Sequence, residues 1–153
     1  MTVVETRYVV PGWGVGEIWR ANGVLVEHDF RFGSEVPESG FDPLVERFRA
    51  FLGGEPVDFR DVEIDLDWAT TLQRAIVDAL RSVPRGEVVS YGELAALAGR
   101  PRAPRAAGAV CSTNRFSFIV PCHRVVGANG IGGYGDAGVE VKRRLLALEG
   151  VAL

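Results

Sequence analysis

The chain has 153 residues, 20 acidic and 17 basic, for a net charge of −3 with 47% hydrophobic residues. This fits one soluble globular domain or two small ones sharing an interface, and the apolar runs are too short to span a bilayer. "MTVVETRYVV" lacks the basic-then-apolar order of a secretory signal, so a cytoplasmic protein whose two cysteines are free thiols is expected.

The first half reads as β-rich. "TVVETRYVV" is dense in β-branched residues, and "VGEIWR" and "VLVEHDF" flank "ANG", where Asn-Gly marks a tight hairpin. His28 lies in the second of these runs and is expected to be a partly exposed strand residue. "FDPLVERFRAFLGG" places Leu44, Val45, Phe48 and Phe51 or Leu52 at helical spacing, with Gly53 as the stop. "DVEIDLDW" alternates as a half-buried strand does. Nothing in this half looks catalytic.

The second half reads as helices. "TTLQRAIVDALRSV" puts Leu72, Ala75, Ile76, Ala79, Leu80 and Val83 on one face, and Thr70 with Gln73 forms a capping box. "SYGELAALAG" carries a second capping box, Ser90 with Glu93, and Gly99 as its stop. In "RPRAPRAAGAVCSTN", Pro104 suits a first helical position, and the helix should run to Ser112 with Asn114 just beyond. Two short helices joined by a tight turn suggest helix-turn-helix. The last helix, "GVEVKRRLLALEG", presents Val141, Leu145 and Leu148 to the core.

Charge divides the chain. Residues 1–68 hold 14 acidic and 6 basic side chains, and residues 69–153 hold 6 acidic and 11 basic. No acid lies between Glu93 and Asp136, yet Arg100, Arg102, Arg105, Arg115 and Arg124 do. Such a stretch is either a solvated surface or a phosphate-binding face. The small residues Ala103, Ala106, Ala107, Gly108 and Ala109 around Arg105 permit either tight helix packing or close approach to a nucleic acid. With the arginines, nucleic acid is the better reading.

In "NRFSFIVPCHRVV" a hydrophobic, strand-like run ends at Pro121, followed by Cys122, His123 and Arg124. Cysteine attacks as thiolate, so a nearby cation or histidine must favour its charged form. Adjacent strand residues point to opposite faces, so a Cys122–His123 contact needs an irregular backbone or a bridging water. Cys111, in an Ala/Val helix, suits an inert buried role. Glu149 falls in the last turn of the final helix, where the helix dipole disfavours it. It is either solvated or held by a partner such as an imidazolium, which would complete a Cys–His–Glu arrangement. Cys111, Cys122, His28 and His123 lack the spacing of a zinc module, and no metal is expected.

"IVPCHRVVGANGIGGYG" followed by "KRRLLALEG", with "PRGEVVSYGELAALAG" and "RAAGAVCSTN" upstream, resembles the O6-alkylguanine-DNA alkyltransferases, or methylated-DNA–protein-cysteine methyltransferases, over roughly Leu72–Val151. The resemblance implies an α+β fold: a small ribonuclease H-like domain at 1–68 and an alkyl-acceptor domain with a winged helix-turn-helix at 69–153. It implies Cys122 as acceptor, His123 as base through a water, and Glu149 behind the histidine. Tyr91 would press on the 3′ phosphate and help rotate the nucleotide out, and Tyr91 or water would protonate the leaving guanine. Arg105 would fill the vacated stack. Ala103, Ala106, Ala107, Gly108, Arg102 and Arg115 would meet the minor groove. Asn114 would be a hinge, and Tyr134, Gly135 and Val125 would line the base pocket. Some members carry a structural zinc; with no cysteine before Cys111, none is expected here, and no cofactor is needed. "RAAG" stands where the family usually has "RAVG", and Asp136 puts a charge near the pocket.

The expected activity is single-turnover transfer of an alkyl group from O6-alkylguanine, or O4-alkylthymine, in double-stranded DNA. The protein would be a monomer, cytoplasmic and nucleoid-associated, without a membrane partner. The alternatives are a lesion sensor or winged-helix regulator that binds without transfer, and a cysteine hydrolase. Resistance to alkylating agents that survives Cys122→Ala in cells points to the former, and turnover without DNA affinity to the latter.

Overall fold

The structure, a computed structural model, describes residues 2–153. It is a mixed α/β chain with two compact units: one runs to Asp65 and takes in Arg115–Ser117, and the other comprises Leu66–Asn114 and Phe118–Leu153.

In the first unit, β1 (Val3–Val10), β2 (Gly14–Ala21) and β3 (Val24–Phe32) form an antiparallel meander. The β2–β3 turn puts Asn22 and Gly23 at φ 52° and 82°, the left-handed pair that a two-residue hairpin requires. Gly16 lies under the Tyr8 ring, where a Cβ would come within 2.1 Å of the ring carbons. Helix α1 (Leu44–Leu52) packs on β1 and buries Leu44, Phe48, Phe51 and Leu52, ending at Gly53 as expected.

His28 departs from expectation: it is 1% exposed. It is in phase with Phe30, and a bulge opposite Trp19 and Arg20 lets Leu25 share the same buried face. Its Nδ1 donates to the Ser117 carbonyl and its Nε2 accepts from the Tyr8 hydroxyl, both at 2.8 Å. With both nitrogens satisfied, burial costs little, and the ring stacks on Phe48 at 3.9 Å. Burial pushes its pKa down to about 4, against the Ser117 hydrogen bond and the Asp42 charge. The strand expected in "DVEIDLDW" is a single bridge, Ile64 to Leu25. The alternation survives only as buried Val62 and Ile64.

The second unit is built from α2 (Thr71–Arg81), α3 (Tyr91–Leu97), α4 (Pro104–Ser112) and α5 (Val139–Leu148), with β4 (Val89–Ser90) parallel to β5 (Val125–Val126). Both capping boxes form, and α2, α3 and α4 pack together. Helix α3 ends with Gly99 at φ 75° and bonds from Arg100 N to Ala95 O and from Gly99 N to Ala96 O, a Schellman stop. The buried face of α5 is Lys142, Leu145 and Leu146, with Glu149 following, so Val141 and Leu148 lie at its margins. "FSFIV" is not a strand. Phe116 makes one bridge with His28, and Phe118 turns the chain at φ 72°. Among the described residues no helix is long and apolar enough to cross a membrane.

Candidate functional site

Pro121 breaks the chain ahead of a 3-10 turn, Cys122–Arg124, that packs against α5. All three side chains are buried, His123 completely. A 3-10 turn is the irregular backbone that lets neighbouring residues serve one site.

Two groups of side chains meet there. In the first, His123 Nε2 lies 3.1 Å from Glu149 Oε2. Arg124 grips the same carboxylate twice, Nε to Oε1 at 2.9 Å and Nη2 to Oε2 at 2.7 Å, and donates Nη1 to the Val83 carbonyl at 2.8 Å. Burial raises the Glu149 pKa, but hydrogen bonds from His123 and Arg124 and their charges outweigh it and hold it at about 2. A carboxylate can only accept, so Nε2 carries the proton. Burial lowers the His123 pKa despite Glu149, so the ring is neutral near pH 7 and its Nδ1 is the basic nitrogen. Arg124, expected in a phosphate-binding stretch, is instead the counter-ion of Glu149 and 8% exposed.

In the second group, the buried Cys122 thiol follows a stretch held by Asn114, whose Nδ2 donates to the Val120 carbonyl at 2.8 Å. Asn114 therefore fastens the turn carrying Cys122 to the end of α4. The influence of Cys111, then burial, push the Cys122 pKa well above the ordinary thiol range, while Asn114 and the Lys142 ammonium pull it down. The thiol's cationic neighbour is thus Lys142, not Arg124. Lys142 is fully buried and donates to the Val125 carbonyl at 2.6 Å and the Gly133 carbonyl at 2.9 Å. Gly132, at φ 73°, allows the loop to close on Gly127: a Cβ there would lie 2.9 Å from Gly127 N.

Tyr91 and Tyr134 are half-buried close to these thiols. Burial first, then the sulfurs' charges, would disfavour either phenolate. Gly108 lies beside the Tyr91 ring. Arg102, Arg105, Arg115 and Gly135 are exposed, and Ala103, Ala106 and Gly108 partly so. Among the expected DNA-contact and pocket residues, Ala107 and Val125 differ from expectation. Ala107 is fully buried and packs inside the helical unit, and the Val125 side chain is fully buried, offering only its carbonyl, to Lys142. Cys111 is half-exposed, not buried as expected. Sequence reasoning missed Lys142, Arg124 and Cys111. Lys142 was within reach, because it precedes Glu149 by seven residues and so shares its helix face.

The arrangement can present one sulfur nucleophile beside a neutral imidazole backed by a carboxylate. Among the described residues no group of three or more His, Cys, Asp or Glu is placed to hold a metal ion. The family model for the DNA-binding domain of 6-O-methylguanine DNA methyltransferase matches residues 71–151. A methylated-DNA–protein-cysteine methyltransferase of Methanothermobacter thermautotrophicus is 37% identical over 144 residues, 91% of this chain and 81% of that protein. The Mycobacterium tuberculosis protein of that name is 45% identical over 116 residues, 74% of this chain and 68% of its own. A crystal structure of Mycobacterium tuberculosis OGT in complex with DNA superposes with a TM-score of 0.80 at 35% identity, covering 96% of this chain and 93% of that one. The O6-methylguanine-DNA methyltransferase of Pyrococcus kodakaraensis superposes with a TM-score of 0.73 at 27% identity, covering 98% and 100%.

Proposed function

This chain belongs to the methylated-DNA–protein-cysteine methyltransferase family, and from that premise we propose that Cys122 is its alkyl acceptor, with His123 as base and Glu149 holding the base. The protein repairs DNA directly, moving an alkyl group from DNA to its own cysteine. The observation that carries the residue assignment is the buried network behind one turn: His123 bonds Glu149, and Glu149 is gripped by Arg124, beside the buried Cys122.

The lesion is O6-alkylguanine in double-stranded DNA, whose alkyl carbon cannot be reached in the stack and must be rotated out. The Cys122 proton passes through a water to His123 Nδ1, and Glu149 stabilises the imidazolium as it forms. The sulfur attacks the alkyl carbon in line, the carbon–O6 bond breaks, and guanine leaves as an anion protonated by Tyr91 or water. The thioether has no ready leaving path, so each molecule acts once.

Residues 1–68 make a ribonuclease H-like domain, and residues 69–153 carry the chemistry on a winged helix-turn-helix. This reading is supported by the α3–turn–α4 pair and by the exposed Arg102 and Arg105 at the start of α4. Helix α4 enters the minor groove with Ala103, Ala106 and Gly108 against the backbone, and Arg105 fills the vacated stack. Tyr91 presses on the 3′ phosphate, Arg115 adds a phosphate contact, Asn114 is the hinge, and Tyr134 and Gly135 line the base pocket. The protein works as a monomer in the nucleoid.

The test is the intact mass after incubation with O6-methylguanine duplex. One methyl on the Cys122 peptide, gained once per molecule, is the expected result. Folded protein with no adduct overturns the assignment.

A further inference from the structure

His28 has no part in the chemistry above, yet it holds three backbone groups of one distant segment. Its own N–H donates to the Arg115 carbonyl at 2.8 Å, its carbonyl accepts from Ser117 N at 3.0 Å, and its Nδ1 donates to the Ser117 carbonyl at 2.8 Å. Both backbone polar groups of Ser117 are therefore taken by one residue. The Tyr8 hydroxyl, 2.8 Å from Nε2, fixes the tautomer in which Nδ1 is the donor. Arg115–Ser117 belongs to the first unit, while Asn114 before it and Phe118 after it belong to the second.

Ser117 precedes a buried run, Phe118 to Cys122, that ends at the acceptor. Phe118 stands at φ 72°, a conformation a bulky side chain keeps only where its surroundings over-determine it. Here the chain is held on both sides: by the His28 bonds on Ser117 ahead of it, and by the Asn114 amide on the Val120 carbonyl behind it. A close-packed run passes a shift at one end to the other instead of absorbing it. We propose that His28 is a positioning residue for alkyl transfer: through Ser117 it sets where the Phe118–Cys122 run begins, and so where the acceptor sulfur stands. The inference rests on the reading of Cys122 as acceptor. In-line attack depends steeply on placement, and a displacement of about 1 Å can cost about 100-fold in rate. The β-rich unit then contributes to the rate of transfer and not to stability alone.

Three substitutions separate the two roles. His28→Asn keeps an amide N–H near the position of Nδ1 and can still donate to the Ser117 carbonyl. His28→Gln carries its amide to the position of Nε2 and leaves that carbonyl without its donor. Phe48→Leu removes the ring stacked on His28 at 3.9 Å, which weakens the fold, but leaves the His28 hydrogen bonds available. The experiment follows methyl uptake on Cys122 of the full chain in a single turnover, at a temperature where the variants are folded. Varying the concentration of O6-methylguanine duplex separates the limiting first-order rate from the half-saturating concentration. His28→Gln should lower the limiting rate about tenfold and leave half-saturation unchanged. His28→Asn should restore the rate to near the wild-type value, and Phe48→Leu should lower the melting temperature but keep the wild-type rate. A wild-type limiting rate in folded His28→Gln overturns the inference, as does a His28→Asn or Phe48→Leu rate that falls as far as that of His28→Gln. Should His28→Gln fail to fold, Tyr8→Phe takes its place. Without the phenol the imidazole loses its anchor, and the limiting rate should fall severalfold; a wild-type rate overturns the inference here too. Wild-type protein is the separate arm. If it takes no methyl on Cys122, the acceptor reading fails; if it does and the variants match it, only the positioning role fails.

Discussion

Glu149 is the residue on which the site turns. It orients His123 and neutralises Arg124 in a buried setting. Glu149→Gln leaves the guanidinium buried without its counter-charge, which costs about 3–5 kcal/mol; a large fall in melting temperature is expected. Because folding holds its pKa at about 2 against an ordinary 4.5, its contribution is complete above 4.5 and lost as pH falls toward 2. The variant should lack that part of the acid dependence, as denaturant midpoints across the range would show. Lys142 acts on the other network. Lys142→Met removes the cation beside Cys122 and should move the pH–rate profile for methyl uptake to higher pH. A purely structural lysine would lower the melting temperature and leave the profile in place.

At the scale of elements, His28 ties β3 to Ser117 and to the Tyr8 hydroxyl of β1. Its folded pKa of about 4 lies below the ordinary 6.5, so its contribution is complete above 6.5 and lost as pH falls toward 4. The loss amounts to about 3 kcal/mol. Urea midpoints for the wild type should fall across that window, and those for His28→Gln should start lower and fall less. This burial was not legible in "VLVEHDF", because its hydrogen-bond partner Ser117 lies far along the chain. The caps of α2 and α3, the Asn-Gly hairpin and the Pro104 start were legible because each is fixed by residues within one turn. "FSFIV" has strand composition, but Phe118 at φ 72° bends it out of extension. The face of α5 was read correctly at Leu145 but not at Val141 and Leu148, although a clue was present. Placing Glu149 at the site commits Lys142, Leu145 and Leu146 to the same face by helical spacing.

At the scale of the molecule, the −8 of residues 1–68 against the +5 of residues 69–153 separates an acidic half from a basic one. The internal use of Arg124 lowers the basic stretch by one and leaves Arg100, Arg102, Arg105 and Arg115 exposed. Arg105→Ala should weaken DNA binding and reduce methyl uptake at limiting DNA. Binding of the wild type should fall steeply with added salt, and affinity that salt leaves unchanged would refute a phosphate-contact surface. The central claim is that Cys122, not Cys111, receives the alkyl group once. Peptide-resolved mass spectrometry after stoichiometric and excess O6-methylguanine duplex measures this directly. One methyl per molecule on Cys122, unchanged by excess DNA, is the predicted result; methyl on Cys111, continued turnover, or no adduct on folded protein contradicts it.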